Sequence, residues 1–257
     1  MSERPITTRL DRYLRREDTM LARSLRAISP TKGHEYRESR AKRALELVIA
    51  TPAALATSPL MGSLAMAKRL EDGGSAFYVQ ERVNSVGESV GVVKIRCMRE
   101  DADSNLGANL THAVQFGEDK DPRNTRLGSF MRKFELEELP QLWQVVRGDI
   151  SLVDIRSAPQ YVFDHLHKEC PDWVGEWEKA YLEGEGGLFS LNSAISNQRK
   201  DDARRYHFDM LYSRKASLGL DLFVLYRTGL RMADKLASKV RSSTRRIKST
   251  GCQNRLK

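Results

Sequence analysis

The stretch RLGSFMRKFELEELPQLWQVVRGDISLVDIRSAPQY, Arg126 to Tyr161, decides the reading of this chain. It places two basic residues, Arg132 and Lys133, a few positions before the adjacent carboxylates Glu137 and Glu138, and a helix-breaking Pro140 follows. With about 3.6 residues per helical turn, neighbouring side chains lie roughly 100° apart, so the two glutamates share a rim rather than a face. One is then placed to coordinate Mg2+, an ion commonly held by one or two carboxylates plus substrate phosphates. The other is free to attack phosphorus as a covalent nucleophile. Arg132, a little over one turn before Glu137, is placed to clamp a phosphate through two N–H donors. An isolated Glu-Glu pair reads as a solvated acidic turn, so its meaning comes from its surroundings.

In register around the pair stand Arg126, Gly128, Arg132, Lys133, Glu138, Leu139, Pro140, Gln141, Leu142, Val145, Gly148, Asp149, Ser151, Leu152, Val153 and Arg156. Upstream runs QERVNSVGESVGVVKIRCM, Gln80 to Met98, and downstream DMLYSRKASLGLDLFVLYRTG, Asp209 to Gly229. This ordered set resembles the signature of the bacterial sugar transferases, membrane-bound phosphoglycosyl transferases, over residues 40 to 235 or so. The resemblance implies an enzyme that moves a sugar phosphate from a UDP-sugar onto polyprenyl phosphate, beginning polysaccharide or glycoconjugate assembly. By the same resemblance Glu137 is the nucleophile toward the β-phosphate, releasing UMP, and Glu138 holds Mg2+. Arg132 and Arg156 bind phosphate oxygens, with Lys94 and Arg96 as further candidates. The chain also departs from the family pattern. The acidic pair is normally Asp-Glu, and a G-P-R-P motif appears here as Asp154-Ile155-Arg156-Ser157. The family's P-G-x-T-G-L region appears as Glu183-Gly184-Glu185-Gly186-Gly187-Leu188. These changes open a second reading: a weak or inactive membrane relative that binds nucleotide sugar or organises a glycan-assembly complex.

Composition agrees with a phosphate-handling protein. The 257 residues carry a formal net charge of +9, which suits nucleic acid, an anionic membrane or phosphorylated substrates. No zinc-finger or RNA-recognition motif supports nucleic acid as a partner. Cys97, Cys170 and Cys252 are too widely spaced for a metal motif and suggest a reducing compartment. His112, His165, His167 and His207 form no metal-ligand spacing.

Residues 44–67, ALELVIATPAALATSPLMGSLAMA, contain one charge, Glu46, and are long enough to cross a bilayer. Pro52 and Pro59 interrupt them, and Lys42, Arg43, Lys68 and Arg69 make both flanks basic. Basic flanks stay on the cytoplasmic side, so the pattern predicts a broken, re-entrant hairpin rather than a spanning helix. A buried core helix is the competing reading. The expected organisation is a basic extension over 1–40, the membrane hairpin over 41–70, a catalytic domain over 71–240 and a disordered basic tail over 241–257. The N-terminal extension lacks the apolar core of a secretory signal.

The fold class is α/β and helix-dominated, with a cytosolic catalytic domain, a small β element and amphipathic interfacial helices. Short strands are expected near Ser75–Gln80 and Gly91–Ile95, with a turn at Val86-Gly87. Leu142–Val146 and Ile150–Val153 are β-prone, although the first also fits a continuing helix. Pro159–Lys168 and Asp172–Leu182 read as helices, and Trp173 and Trp177 fit either a packed pair or interfacial anchors. From Asp221 to Val240, Arg227, Arg231, Lys235 and Lys239 recur every four residues, suiting an anionic membrane surface or a solvated face. The expected location is the bacterial cytoplasmic membrane, with inner-membrane lipid as a partner and self-association left open.

Overall fold

The structure is a computed structural model that describes the backbone of residues 33–83, 89–99, 102, 121–169, 171–182, 184–195 and 202–253. The expected turn at Val86-Gly87 and nearly all of the basic extension lie outside the described residues. A short helix, α1 (Gly33–Arg37), leads into the long helix α2 (Arg40–Asp72). Ser39 caps α2 by accepting the Lys42 N–H, and Gly73 closes it in the left-handed conformation. At about 1.5 Å per residue, its 33 residues follow about 50 Å of helical path. Both prolines sit inside this one continuous helical element. Side-chain hydroxyls bond to carbonyls along it: Ser58 Oγ donates to the Ala54 carbonyl at 2.7 Å and Thr57 Oγ1 to that of Ala53 at 2.8 Å.

Buried charge pins both ends of α2 to one folded body. At the start, Lys42 Nζ donates to the Val153 carbonyl and Asp221, Arg43 to the carbonyls of Val145 and Val146, and Glu46 accepts from Leu152 N–H. In the middle, Trp143 Nε1 donates to Ser58 Oγ at 3.1 Å. At the end, Lys68 donates to Glu71, Asp72 and Thr125, and its side chain is fully buried. Between these anchors α2 turns Val48, Leu55, Leu60 and Met66 outward, and only 17% of its most apolar window is buried. It is the one described helix long and apolar enough to cross a membrane.

The strands fall close to expectation. β1 (Phe77–Val83) and β2 (Ser89–Ile95) pair antiparallel, with Tyr78 opposite Lys94. After α3 (Arg126–Phe134) and a single 3-10 turn (Leu136–Glu138), the segment read as β-prone or helical is helix α4 (Gln141–Arg147). Strand β3 (Ser151–Val153) follows, then α5 (Gln160–Glu169) and α6 (Pro171–Leu182). A strand the sequence did not announce, β4 (Gly187–Phe189), pairs parallel to β3. A Cβ on Gly187 would overlap the Asp154 backbone, so glycine permits this close pairing. Three helices end the chain: α7 (Leu191–Ile195), α8 (Asp202–Lys215) and α9 (Leu218–Gln253). The basic tail is thus helical to Gln253 instead of disordered. It contains no proline, and its Arg, Lys and Ser residues let the preceding helix propagate.

The larger core surrounds β3 and β4 and includes Ala50, Val145, Leu152, Ile155, Leu188, Phe208 and Val224. Trp177 is fully buried there rather than interfacial, packed between Phe163 and Tyr181 with ring centroids 5.1 Å from each. A second, smaller core joins Leu64, Ile95, Cys97 and Met131. The acidic pair is built on this second core.

Candidate active site

Helix α3 sits directly on the end of the β hairpin. Thr125 caps it by accepting the Gly128 N–H, and a Cβ on Gly128 would collide with the Cys97 carbonyl. That contact explains the glycine of the R-x-G pattern. The 3-10 turn beyond α3 is anchored by Leu136 and Leu139, three apart, which pack on the small core. The two residues between them, Glu137 and Glu138, are carried by that anchored turn.

The site residues arrive from four segments. The turn supplies the carboxylates, β2 supplies Lys94, the segment after β3 supplies Arg156, and α3 supplies Arg132. Arg156 forms an ion pair with Glu138 and also donates to the Leu188 carbonyl. Lys94 Nζ lies 3.8 Å from Glu138 Oε1. Arg132 interacts electrostatically with Glu137. Arg96 stands elsewhere: its guanidinium donates to Asp72 at 2.6 Å and to the Ser75 carbonyl at 2.5 Å, bracing the end of α2.

Two neighbours escaped the sequence reading. Arg82 bonds to the Ser157 carbonyl at 2.8 Å and adds its positive charge to the surroundings of Glu138. Its place inside the Gln80–Met98 run was the available signal. Cys97 lies against Glu137 and Arg132, with its thiol pushed up to about 11 by burial and by the Glu137 charge. A lone cysteine carries no pattern that would have flagged it.

The environments of the two carboxylates diverge. Burial raises both, and the balance is then set by neighbours. For Glu138, Arg156, Lys94 and Arg82 outweigh burial and hold the carboxyl below its ordinary value. For Glu137, burial and the adjacent Glu138 charge outweigh its own backbone hydrogen bond, Arg132 and Lys94, and the carboxyl is raised. Glu137 Oε2 is buried and has no hydrogen-bond partner among the described residues. A buried acceptor left unpaired is costly and calls for an explanation, of which a catalytic role is one. Two coupled groups pushed apart in this way suit different roles.

Glu138 and the unpaired Oε2 of Glu137 are oxygen donors of the hard type that Mg2+ takes together with substrate phosphates.

The changed G-P-R-P region has a structural explanation. Asp154 pairs with Arg37 at 2.7 Å, with both side chains almost fully buried. A Cβ on Gly184 would strike the Arg37 guanidinium, so Gly184 and Asp154 are both adapted to that arginine.

The fold is helix-dominated α/β with one long apolar helix, and it carries a pair of carboxylates rimmed by cationic side chains. The bacterial sugar transferase model matches residues 37–235, and the chain belongs to that family. It is 33% identical over 195 residues to the exopolysaccharide production protein ExoY of Sinorhizobium fredii, covering 73% of this chain and 83% of that protein. It is 28% identical over 187 residues to a UDP-N-acetylgalactosamine-undecaprenyl-phosphate N-acetylgalactosaminephosphotransferase of Aeromonas hydrophila, again covering 73% of this chain but 42% of the relative. An undecaprenyl-phosphate galactose phosphotransferase of Salmonella typhimurium is 32% identical over 195 residues, with 39% of its length covered. The chain thus spans less than half of these two longer relatives.

Proposed function

We propose that this chain transfers a sugar phosphate from a UDP-sugar to polyprenyl phosphate at the cytoplasmic face of a bacterial membrane. The observation that carries the proposal is the buried, unpartnered Glu137 oxygen beside a Glu138 held ionised by Arg156 and Lys94. Two of the named relatives are undecaprenyl-phosphate sugar phosphotransferases and the third is an exopolysaccharide production protein, which supports the same reaction here.

In the first step a Glu137 carboxylate oxygen attacks the β-phosphorus of the UDP-sugar. The bond from that phosphorus to the bridging oxygen breaks, and UMP leaves with the electron pair. The sugar phosphate is then carried on Glu137 as an acyl phosphate. In the second step a phosphate oxygen of the polyprenyl phosphate attacks the same phosphorus. The Glu137–phosphate bond breaks, the carboxylate is restored, and the sugar leaves on a polyprenyl diphosphate. Arg132 and Arg156 orient phosphate oxygens, and Lys94 adds positive charge beside the pair. Glu138 would hold Mg2+, whose contribution when bound is to neutralise charge on the transferring phosphoryl group.

In this proposal α2 enters the membrane and returns, with both ends cytoplasmic. Support comes from the anchoring of Lys42 and Lys68 to the same folded body and from the outward apolar residues between them. The direct test is transfer of radiolabel from a panel of UDP-sugars into the lipid phase with polyprenyl phosphate and Mg2+. Label entering lipid with at least one sugar is the expected result, and no transfer with any sugar would overturn it. The second reading, a weak or inactive relative, is separated from this one by the same assay.

A further inference from the structure

Glu135 is the only non-glycine residue among those described with a positive φ, at φ 59° and ψ 26°. Such a conformation is strained for a residue with a side chain and persists only where its surroundings hold it. Glu135 also occupies a sensitive position. Its N–H donates to the carbonyls of Met131 and Arg132 to close α3, and its chain direction launches the turn carrying Glu137 and Glu138.

The residue that reaches Glu135 comes from the far end of the chain. Lys235 of α9 donates to Glu135 Oε1 at 2.8 Å across a separation of 100 residues. The basic row that the sequence offered to a membrane surface or to solvent is partly covered at its described side chains. Arg227, Arg231 and Lys235 are half-buried, whereas Leu222, Tyr226 and Leu230 are exposed. Thus α9 packs Leu220 and Val224 into the core, keeps Arg227, Arg231 and Lys235 partly covered, and turns Leu222, Tyr226 and Leu230 outward.

We infer that Lys235 is a positioning residue for phosphoryl transfer: through Glu135 it fixes the left-handed turn and so the place of the Glu137 carboxylate. The inference rests on the nucleophilic reading of Glu137. The Lys235 and Glu135 side chains are 39% and 38% exposed, so the pair contributes little to global stability. A displacement of about 1 Å at a reacting group, in contrast, costs about a hundredfold in rate. The signature of a positioning role is therefore lost turnover with unchanged stability.

The test uses the full chain in detergent, with Mg2+ and a UDP-sugar that supports wild-type transfer. Lys235→Ala should lower kcat by about threefold to fivefold, leave KM for the UDP-sugar unchanged and leave Tm unchanged. Amide exchange over residues 135–139 should quicken. Lys235→Arg should recover most of the rate. In a Glu135→Gln background the Lys235→Ala change should cost nothing further, because the two residues act as a unit. Wild-type kcat and unchanged exchange in Lys235→Ala would overturn the inference, as would additive losses in the double variant. Failure of wild-type protein to form a Glu137 adduct would overturn the nucleophile reading and the catalytic part of this inference. An active wild type with silent exchange would overturn this inference alone.

Discussion

At the scale of single residues, the site depends on two neighbouring glutamates being held in different electrostatic states. Glu138 is compensated by Arg156, Lys94 and Arg82, and its replacement removes the proposed cation ligand. Glu138→Gln should therefore reduce transfer at least about a hundredfold, measured as initial rate at saturating Mg2+. Near-normal rates would remove Glu138 from the site. Glu137 must ionise to attack, yet burial and the Glu138 charge raise its pKa. Activity should fall as pH drops through that raised value, so the acid limb of kcat/KM should lie above the ordinary carboxylate range. Arg132 opposes the raise, and Arg132→Gln should move the limb to still higher pH besides lowering the rate. A limb that stays in place would mean that another group titrates. The structure brings both carboxylates, Arg156 and Lys94 close together, and the resemblance had grouped them with Arg132 although they lie on separate segments. Arg96 was a further phosphate-binding candidate by resemblance, and alternation along the strand says nothing about which acid it will meet; it pairs with Asp72.

At the scale of elements, the family pattern and the apolar run disclosed the major pieces but not how they are joined. The hairpin strands and the helices after Pro159 follow from β-branched runs and helical periodicity. Strand β4 did not declare itself, because a parallel partner buried against Asp154 demands glycine where strand propensity favours branched residues. The connection between α1 and the segment after β3 was equally hidden: Arg37 and Asp154 are 117 residues apart and meet as a buried pair. Breaking such a pair leaves an uncompensated buried charge at a cost of about 3–5 kcal/mol. Arg37→Met should thus lower the Tm of the detergent-solubilised protein by on the order of 10 °C. A shift of only a degree or two would mean that water or another group compensates Asp154. The continuity of α2 through Pro52 and Pro59 also differs from the broken hairpin expected. Hydroxyls of Thr57 and Ser58, with the Ser58–Trp143 contact, supply local hydrogen bonds around the proline-interrupted ladder.

At the scale of the whole molecule, α2 is proposed to join a membrane to the phosphoryl-transfer site. Its ends are locked into the body that carries Glu137, and its middle exposes apolar side chains. Cysteines placed singly at Arg40 and Leu70, both exposed, in a chain lacking the native cysteines should resist an impermeant thiol reagent in intact cells. Labelling at one position alone would mean a spanning helix. The molecule as a whole is proposed to work by carrying the sugar phosphate covalently on Glu137, one methylene longer than the aspartate usual in its family. The direct measurement is mass spectrometry of the purified protein after incubation with UDP-sugar and Mg2+. A phosphosugar adduct should appear on the peptide containing Glu137, vanish together with turnover in Glu137→Gln, and persist in Glu137→Asp. Turnover surviving in Glu137→Gln would contradict the covalent role of Glu137.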